Sequence, residues 1–185
     1  DPASGYYGSK TLAEKAAWEF VEKEKPGFDL TTVCPPMVYG PALQEITSLS
    51  SLNTSSAAFY ALFSGQKKEL ANASIWFWTD VRNVAEAHVA AFEKPGTAGE
   101  RFFICEGRFN MNQAADTIWK YYPERAAAKG IPKSNPSIDY PASGTYTSDN
   151  TKSKSVLGIN YIPFESMLKD TLDQFVAIEK ELGVE

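Results

Sequence analysis

Short runs rich in β-branched and aromatic residues alternate along this sequence with longer stretches whose apolar residues recur every three or four positions. That alternation constrains the fold more than any other feature, because strands separated by helices form a mostly parallel sheet covered by those helices, an α/β layered architecture. The spacing predicts a first helix over 6–23, with Leu12, Ala16, Phe20 and Val21 on one face and Pro26 and Gly27 as its stop. "FDLTTVC" reads as a buried strand ended by Pro35 and Pro36, which cannot continue a ladder. The stretch "PPMVYGPALQEITSLSSLNTS" then reads as a long loop, and a loop of about 20 residues in a compact domain usually lines a site or moves.

A second helix is predicted over 54–64 and a strand at "SIWFW". Asp80 stands where an N-cap belongs, ahead of an amphipathic helix with Val81, Val84, Ala85, His88, Val89 and Phe92 at helical spacing, closed by Pro95 and Gly96. "RFFIC" reads as a third strand and "NMNQAADTIWKYY" as a further helix. An irregular Pro- and Ser-rich stretch over 123–143 follows, then a short helix in "DNTKSKSVLGI" with Gly158 as its left-handed stop. The last helix opens at Pro163 and carries Phe164, Met167, Leu168, Leu172, Phe175, Val176 and Leu182. Three parallel strands make a small sheet, and a helix stands almost at the first residue, so the chain reads as the back half of something larger.

The chain has 185 residues, a net charge of -5 and a sequence pI near 5.0, which disfavours nucleic acid or an anionic membrane as the main partner. Its longest apolar runs, such as "SAAFYALF", fall short of the roughly 18 residues a membrane-spanning helix needs, and the first residues do not read as a secretory signal. The expectation is a cytoplasmic protein. Cys34 and Cys105 sit in apolar runs and read as reduced, buried thiols, while Asn53 and Asn72 match the glycosylation triplet without a signal to go with it. With a single histidine and no cysteine pair at ligand spacing, no metal site is predicted. His88 reads as a satisfied core histidine, and Asp80 with Arg82 as a helix cap and a structural ion pair.

The chemistry-bearing candidate is "YYGSK". Tyr6 and Lys10 stand four apart, so in a helix they leave the same face about 5–6 Å apart. A phenol has a reference pKa of about 10, and a neighbouring ammonium in a partly desolvated cleft lowers it towards the range of an acid–base catalyst. With nine tyrosines in 185 residues, however, one such spacing is what chance supplies. The pair alone reads as a surface or core tyrosine beside a solvated lysine.

Its neighbours change that. "GYYGSKTLAEKAAWEF" resembles the active-site helix of the extended short-chain dehydrogenase/reductase superfamily, with Tyr6, Ser9 and Lys10 in its Y-x-x-S-K pattern. "TTVCPPMVYGP" is similar to the segment on the nicotinamide side of the site, and "TDVRNVAEAHVAAFE" to the D-V-R-D-V-A-x-A-H signature, from which Thr79 and Asn83 depart. "DNTKSKSVLGI" is similar to the K-x-x-x-L-G element near the end of the chain, from which the spacing of its lysines to Leu157 and Gly158 departs by one residue. The branch most resembled is that of fungal-type NADPH-dependent methylglyoxal and aldehyde/ketone reductases, related to dihydroflavonol and cinnamoyl-CoA reductases.

The resemblance implies the C-terminal part of a Rossmann-type doubly wound parallel sheet plus a small substrate-binding α/β region, with residues 1–185 forming one portion of a reductase. It implies that Tyr6 donates a proton to a carbonyl oxygen and that Lys10 binds the nicotinamide ribose and lowers the tyrosine pKa. Pro35, Met37, Val38 and Ser55 are implied cofactor contacts, the cofactor being NADPH (NADP+), and Ala3, Met37 and Tyr39 are implied substrate neighbours. The partner is then a small-molecule carbonyl compound, with a homodimer through the first two helices compatible with catalysis. The glycine-rich phosphate turn and a catalytic serine ahead of the tyrosine are not found in these 185 residues, and the resemblance places both in a dinucleotide-binding half that this chain lacks. Two alternatives share the same residues: a nucleotide-sugar epimerase or dehydratase of the superfamily, and a non-catalytic dinucleotide-binding sensor or scaffold.

Overall fold

A computed structural model describes residues 2–71, 76–137 and 146–184. Asn72, the first residues of "SIWFW" and the end of the irregular 123–143 stretch lie outside the described residues. The chain is α/β with parallel strand pairing, as the alternation predicts, but its strands are short and divide into two sheets. Strand β1 (Thr32–Cys34) pairs parallel with β4 (Arg101–Phe103), and β2 (Met37–Tyr39) pairs parallel with β3 (Phe77–Asp80). A two-residue strand β5 (Gly107–Arg108) adds antiparallel to β3. Strand β2 corrects the expectation of a continuous loop after Pro36: the two prolines end β1, and the ladder restarts in the neighbouring sheet with Met37 opposite Trp78.

Among the described residues, six helices surround these strands. Helix α1 (Pro2–Glu24) begins a turn earlier than predicted, and α2 (Thr54–Phe63) starts under the side chain of Asn53, which accepts from the Ser56 amide at 3.1 Å. Helix α3 (Val81–Glu93) is capped by Asp80 as predicted, and α4 (Met111–Tyr121) by a reciprocal box between Asn110 and Gln113. A short helix α5 (Pro123–Ala128) interrupts the stretch expected to be irregular, with Pro123 in the first turn where its missing N–H costs nothing. The segment Ser153–Leu157 forms a single wide helical turn, closed by Gly158 at φ 71°, before α6 (Phe164–Glu181).

Helices α2, α4 and α6 close over β2 and β3 around Phe59, Phe63, Trp78, Ile118, Met167, Leu168, Leu172 and Phe175, all almost fully buried. On α6 the buried stripe includes Thr171 and Ile178, whereas Val176 and Leu182 of the predicted face are exposed. Arg125 of α5 forks onto Glu179 of α6 at 2.5 and 2.6 Å, and the Tyr60 hydroxyl donates to the same carboxylate at 2.9 Å, tying three helices together. A second, smaller core joins Ala87 and Ala90 of α3 to Phe102, Ile104, Leu157 and Ile159.

Helix α3 reverses the predicted facing. Its buried residues are Asn83, Ala87 and Ala90, while His88 is exposed, with Nδ1 2.8 Å from the Val84 carbonyl, and Val89 and Phe92 face outward. Small side chains let the helix approach the sheet closely. Asn83 is held by the Asn160 carbonyl at 3.1 Å and the Ile162 amide at 2.9 Å, which fixes the rotation. Helix α1 departs in the same way: Leu12 is 67% exposed and Phe20 51%, so of the predicted apolar face Val21 alone lies on the docked side.

Candidate active site

The stripe by which α1 docks is Glu14, Ala17, Trp18 and Val21, at spacings of three, one and three, and all are half-buried. This is a helical face, continued towards the N-terminus by Lys10 and Tyr6 at steps of four. From residue 3 to residue 13 every position is exposed. Residues 25–31 join α1 to β1, so the helix runs back alongside the strand, and its first turns project past the strand's C-terminal end. Open α/β sheets place their ligands at that end.

One carboxylate sets this arrangement. Glu14 Oε1 accepts from Arg101 Nε at 2.8 Å, from Thr32 Oγ1 at 3.0 Å and from Trp18 Nε1 at 3.4 Å, so both parallel strands β1 and β4 hold it. The Arg101 guanidinium, chiefly by this hydrogen bond, keeps the Glu14 carboxyl below the usual carboxylate range. Beyond this anchor, the Lys10 ammonium lies 5.6 Å from the centre of the Tyr6 ring, so the predicted pair does meet. Tyr6 is 60% exposed, and Tyr7 packs edge-on against it at 5.7 Å. Tyr7 has Thr11 rather than a cation one turn on, and that hydroxyl donates to the Tyr7 carbonyl at 3.0 Å.

A second group of candidates gathers elsewhere. Val38, Tyr39 and Ser55 line one open cavity of about 420 Å³, together with residues 40–44, Asn53, Ser56 and Arg82. Ser55 stands in the first turn of α2, where a helix presents the partial positive charge of its N-terminus. The ring of Tyr39 packs into the core against Phe59 and Phe109, and burial pushes its hydroxyl up to about 12. Met37 packs half-buried on the main core, and Pro35 and Ala3 are exposed. Ala3, Tyr6, Lys10, Pro35 and Met37 are not among the residues that line this cavity. A larger open groove of about 570 Å³, bounded by Phe28, His88, Phe92 and Pro95, holds none of the candidates.

The cavity wall is built rigidly. Gly40 has φ 128°, and a Cβ there would stand 3.0 Å from Val81 Cγ1, so the turn after β2 passes close over the start of α3. Ala42 exchanges two backbone hydrogen bonds with the Gln174 side chain at 2.7 and 2.6 Å. Arg82 forks onto the buried Asp80 at 2.7 and 3.0 Å and reaches Asp170 at 2.7 Å, so the expected ion pair extends to α6. Gln174, Asn53 and the Glu14–Arg101 pair were not legible as site-forming residues. The one signal for Glu14 is its place one turn beyond Lys10.

No family model matches the chain. Curated relatives do: it is 37% identical over 177 residues to a putative NADPH-dependent methylglyoxal reductase of Candida albicans, covering 95% of this chain and 51% of that protein. It is 39% identical over 173 residues to a ketoreductase of Aspergillus niger, covering 92% and 50%. Among solved structures, a yeast methylglyoxal/isovaleraldehyde reductase complexed with NADPH superposes with a TM-score of 0.82 at 34% identity, over 97% of this chain and 53% of that one. The chain is a homologue of the extended short-chain dehydrogenase/reductases. It spans about half the length of the curated relatives it matches. Over the part that it covers, the chain has the α/β fold of that NADPH-complexed reductase, and the resemblance read in "YYGSK" and its ordered neighbours runs through nearly the whole chain.

Proposed function

We propose that this chain supplies the acid–base helix and part of the pocket of an NADPH-dependent carbonyl reductase acting on aldehydes and ketones such as small dicarbonyls. The observation that carries the reading is the Tyr6–Lys10 pair, phenol beside ammonium, beyond the C-terminal end of β1 in a homologue of such reductases. The Tyr6 hydroxyl donates its proton to the carbonyl oxygen, completing the alcohol, and is reprotonated from solvent. Lys10 stabilises the phenolate left behind and holds the ribose hydroxyls. When bound, the cofactor supplies the hydride that reaches the carbonyl carbon.

The residues present fit part of a dinucleotide. Ser55 and the α2 N-terminus offer donors to a phosphate, and the backbone of residues 35–38 offers groups to the nicotinamide carboxamide. Met37, Tyr39 and Ala3 form the substrate side, Tyr39 as a fixed wall because its ring is locked in the core. The glycine-rich phosphate cradle is not in this sequence, and the relatives are about twice as long, so we assign these residues to the C-terminal portion of the enzyme, with activity requiring a dinucleotide-binding portion. We place the protein in the cytoplasm. Among the described residues no helix is long and apolar enough to cross a membrane. A homodimer through the exposed face of α1 fits the same picture.

The test is NADPH oxidation by the whole protein that carries this chain, with small dicarbonyls and aromatic aldehydes. Turnover is expected, and Lys10→Ala should weaken both cofactor binding and rate. Absence of turnover with every carbonyl class, with cofactor still bound, would favour the non-catalytic binder instead.

A further inference from the structure

Helix α1 carries its half-buried residues in its second half. Its docked stripe ends at Glu14, and all residues from 3 to 13 are exposed. The candidate acid and its cation lie within that exposed half, eight and four residues before Glu14, about 12 and 6 Å along the axis at 1.5 Å per residue. Where their side chains point depends on how α1 is rotated about its axis, and Glu14 is the residue of the docked stripe nearest to them.

That position is unlike the rest of the stripe. Ala17 and Val21 offer only apolar contact, and Trp18 turns its indole N–H back to Glu14, whereas Glu14 is gripped from two strands at once. Arg101 gives it two guanidinium nitrogens, at 2.8 and 3.4 Å, and Thr32 its hydroxyl at 3.0 Å; the Cys34 thiol stands 3.9 Å from Oε2. An apolar stripe tolerates a small roll, because its contacts are not directional. A planar carboxylate facing a guanidinium fork does not. For a side chain whose tip lies about 6 Å from the helix axis, a roll of about 20° moves that tip by about 2 Å, and misplacement by about 1 Å can cost a hundredfold in rate.

We propose that Glu14 is a positioning residue for the Tyr6–Lys10 pair, its clamp by Arg101 and Thr32 fixing the rotation of α1 over the ends of β1 and β4. The claim rests on the reading of Tyr6 as proton donor, and it adds a residue that touches neither substrate nor cofactor. Arg101 is the other half of the clamp. It is itself held on β4, where its carbonyl accepts from Lys152 at 3.1 Å.

The test uses the whole protein carrying Glu14→Ala, Arg101→Ala, both together, Glu14→Gln or Thr32→Val. The first readout is amide hydrogen exchange over residues 6–14, which needs no activity. Exchange there should rise at least tenfold in Glu14→Ala and Arg101→Ala, and no further in the double variant, since both remove one clamp. The second readout is the split of rate constants: kcat per folded molecule should fall at least tenfold and KM for NADPH should rise, since Lys10 moves with the helix, while KM for the carbonyl stays within threefold. Glu14→Gln, which keeps an acceptor for Arg101, should recover part of the rate, and Thr32→Val should lose two- to threefold, which keeps the claim open to test if Glu14→Ala fails to fold. Wild-type exchange over 6–14 in Glu14→Ala would overturn the proposal, as would a lowered Tm with kcat per folded molecule unchanged. If the wild-type protein reduces no carbonyl, the reductase reading fails, and the exchange measurement still decides whether Glu14 fixes the helix.

Discussion

Helices α1 and α6 look alike as sequences, each long and each carrying apolar residues at helical spacing, yet they end in opposite environments. On α6, Met167, Leu168, Leu172 and Phe175 disappear into the core between α2, α4 and β3, whereas on α1 Tyr6, Tyr7, Leu12 and Phe20 stay more than half exposed. Periodicity reports that a face is suited to being covered. It does not report that the cover is present. The main core draws on α6 and its partners, and the candidate chemistry sits on a helix that gives that core none of its residues.

Stability measurements can break this contrast directly. The largest expected effect is at the α5–α6 junction: Arg125→Ala leaves Glu179 buried without its cation and should cost about 3–5 kcal/mol in urea unfolding. Leu172→Ala, at a site with no exposure, should cost about 2–5 kcal/mol, while Leu12→Ala on α1 should change stability by less than about 0.5 kcal/mol. Equal costs for the two leucines would show that the face of α1 is packed after all.

Acid unfolding sharpens the same contrast. Burial pushes the Glu179 carboxyl up, but the hydrogen bonds from Arg125 and Tyr60 outweigh it and leave it below the usual carboxylate range. Its contribution is therefore fully present above the unfolded value near 4.3 and is lost as pH falls through the lowered folded value. Wild-type stability should hold from neutral pH down to about 5 and then drop, and Arg125→Ala should flatten that drop. Glu14 is lowered with the same sign, yet its partner Arg101 is more than half exposed, so Arg101→Ala should flatten the curve less. A larger flattening from Arg101 than from Arg125 would contradict the assignment of stability to the α6 region.

What the sequence made legible follows the same division. Helices α2, α4 and α6, the Asp80 cap and the Gly158 stop could be read because each depends on local spacing or on one residue's own backbone preference. The facing of α3 could not, since Ala87 and Ala90 carry little apolar signal and win the buried side through close approach to Phe102 and Ile104. Strand β2 was hidden behind two prolines, because its ladder lies with Trp78 and Thr79, far along the chain. At the candidate site, the Tyr6–Lys10 pair follows from helical spacing alone. The Glu14 anchor does not, because a charge on a helix ordinarily reads as solvent-facing, and its partners stand 18 and 87 residues away.

The most direct test of the central claim compares the two adjacent tyrosines in the whole protein that carries this chain. We predict that Tyr6→Phe lowers NADPH-dependent carbonyl reduction by about 10²–10⁴-fold while cofactor still binds, and that Tyr7→Phe keeps turnover within a few-fold of wild type. Equal rates in the two variants, or a larger loss from Tyr7→Phe, would contradict the assignment of Tyr6 as the proton donor.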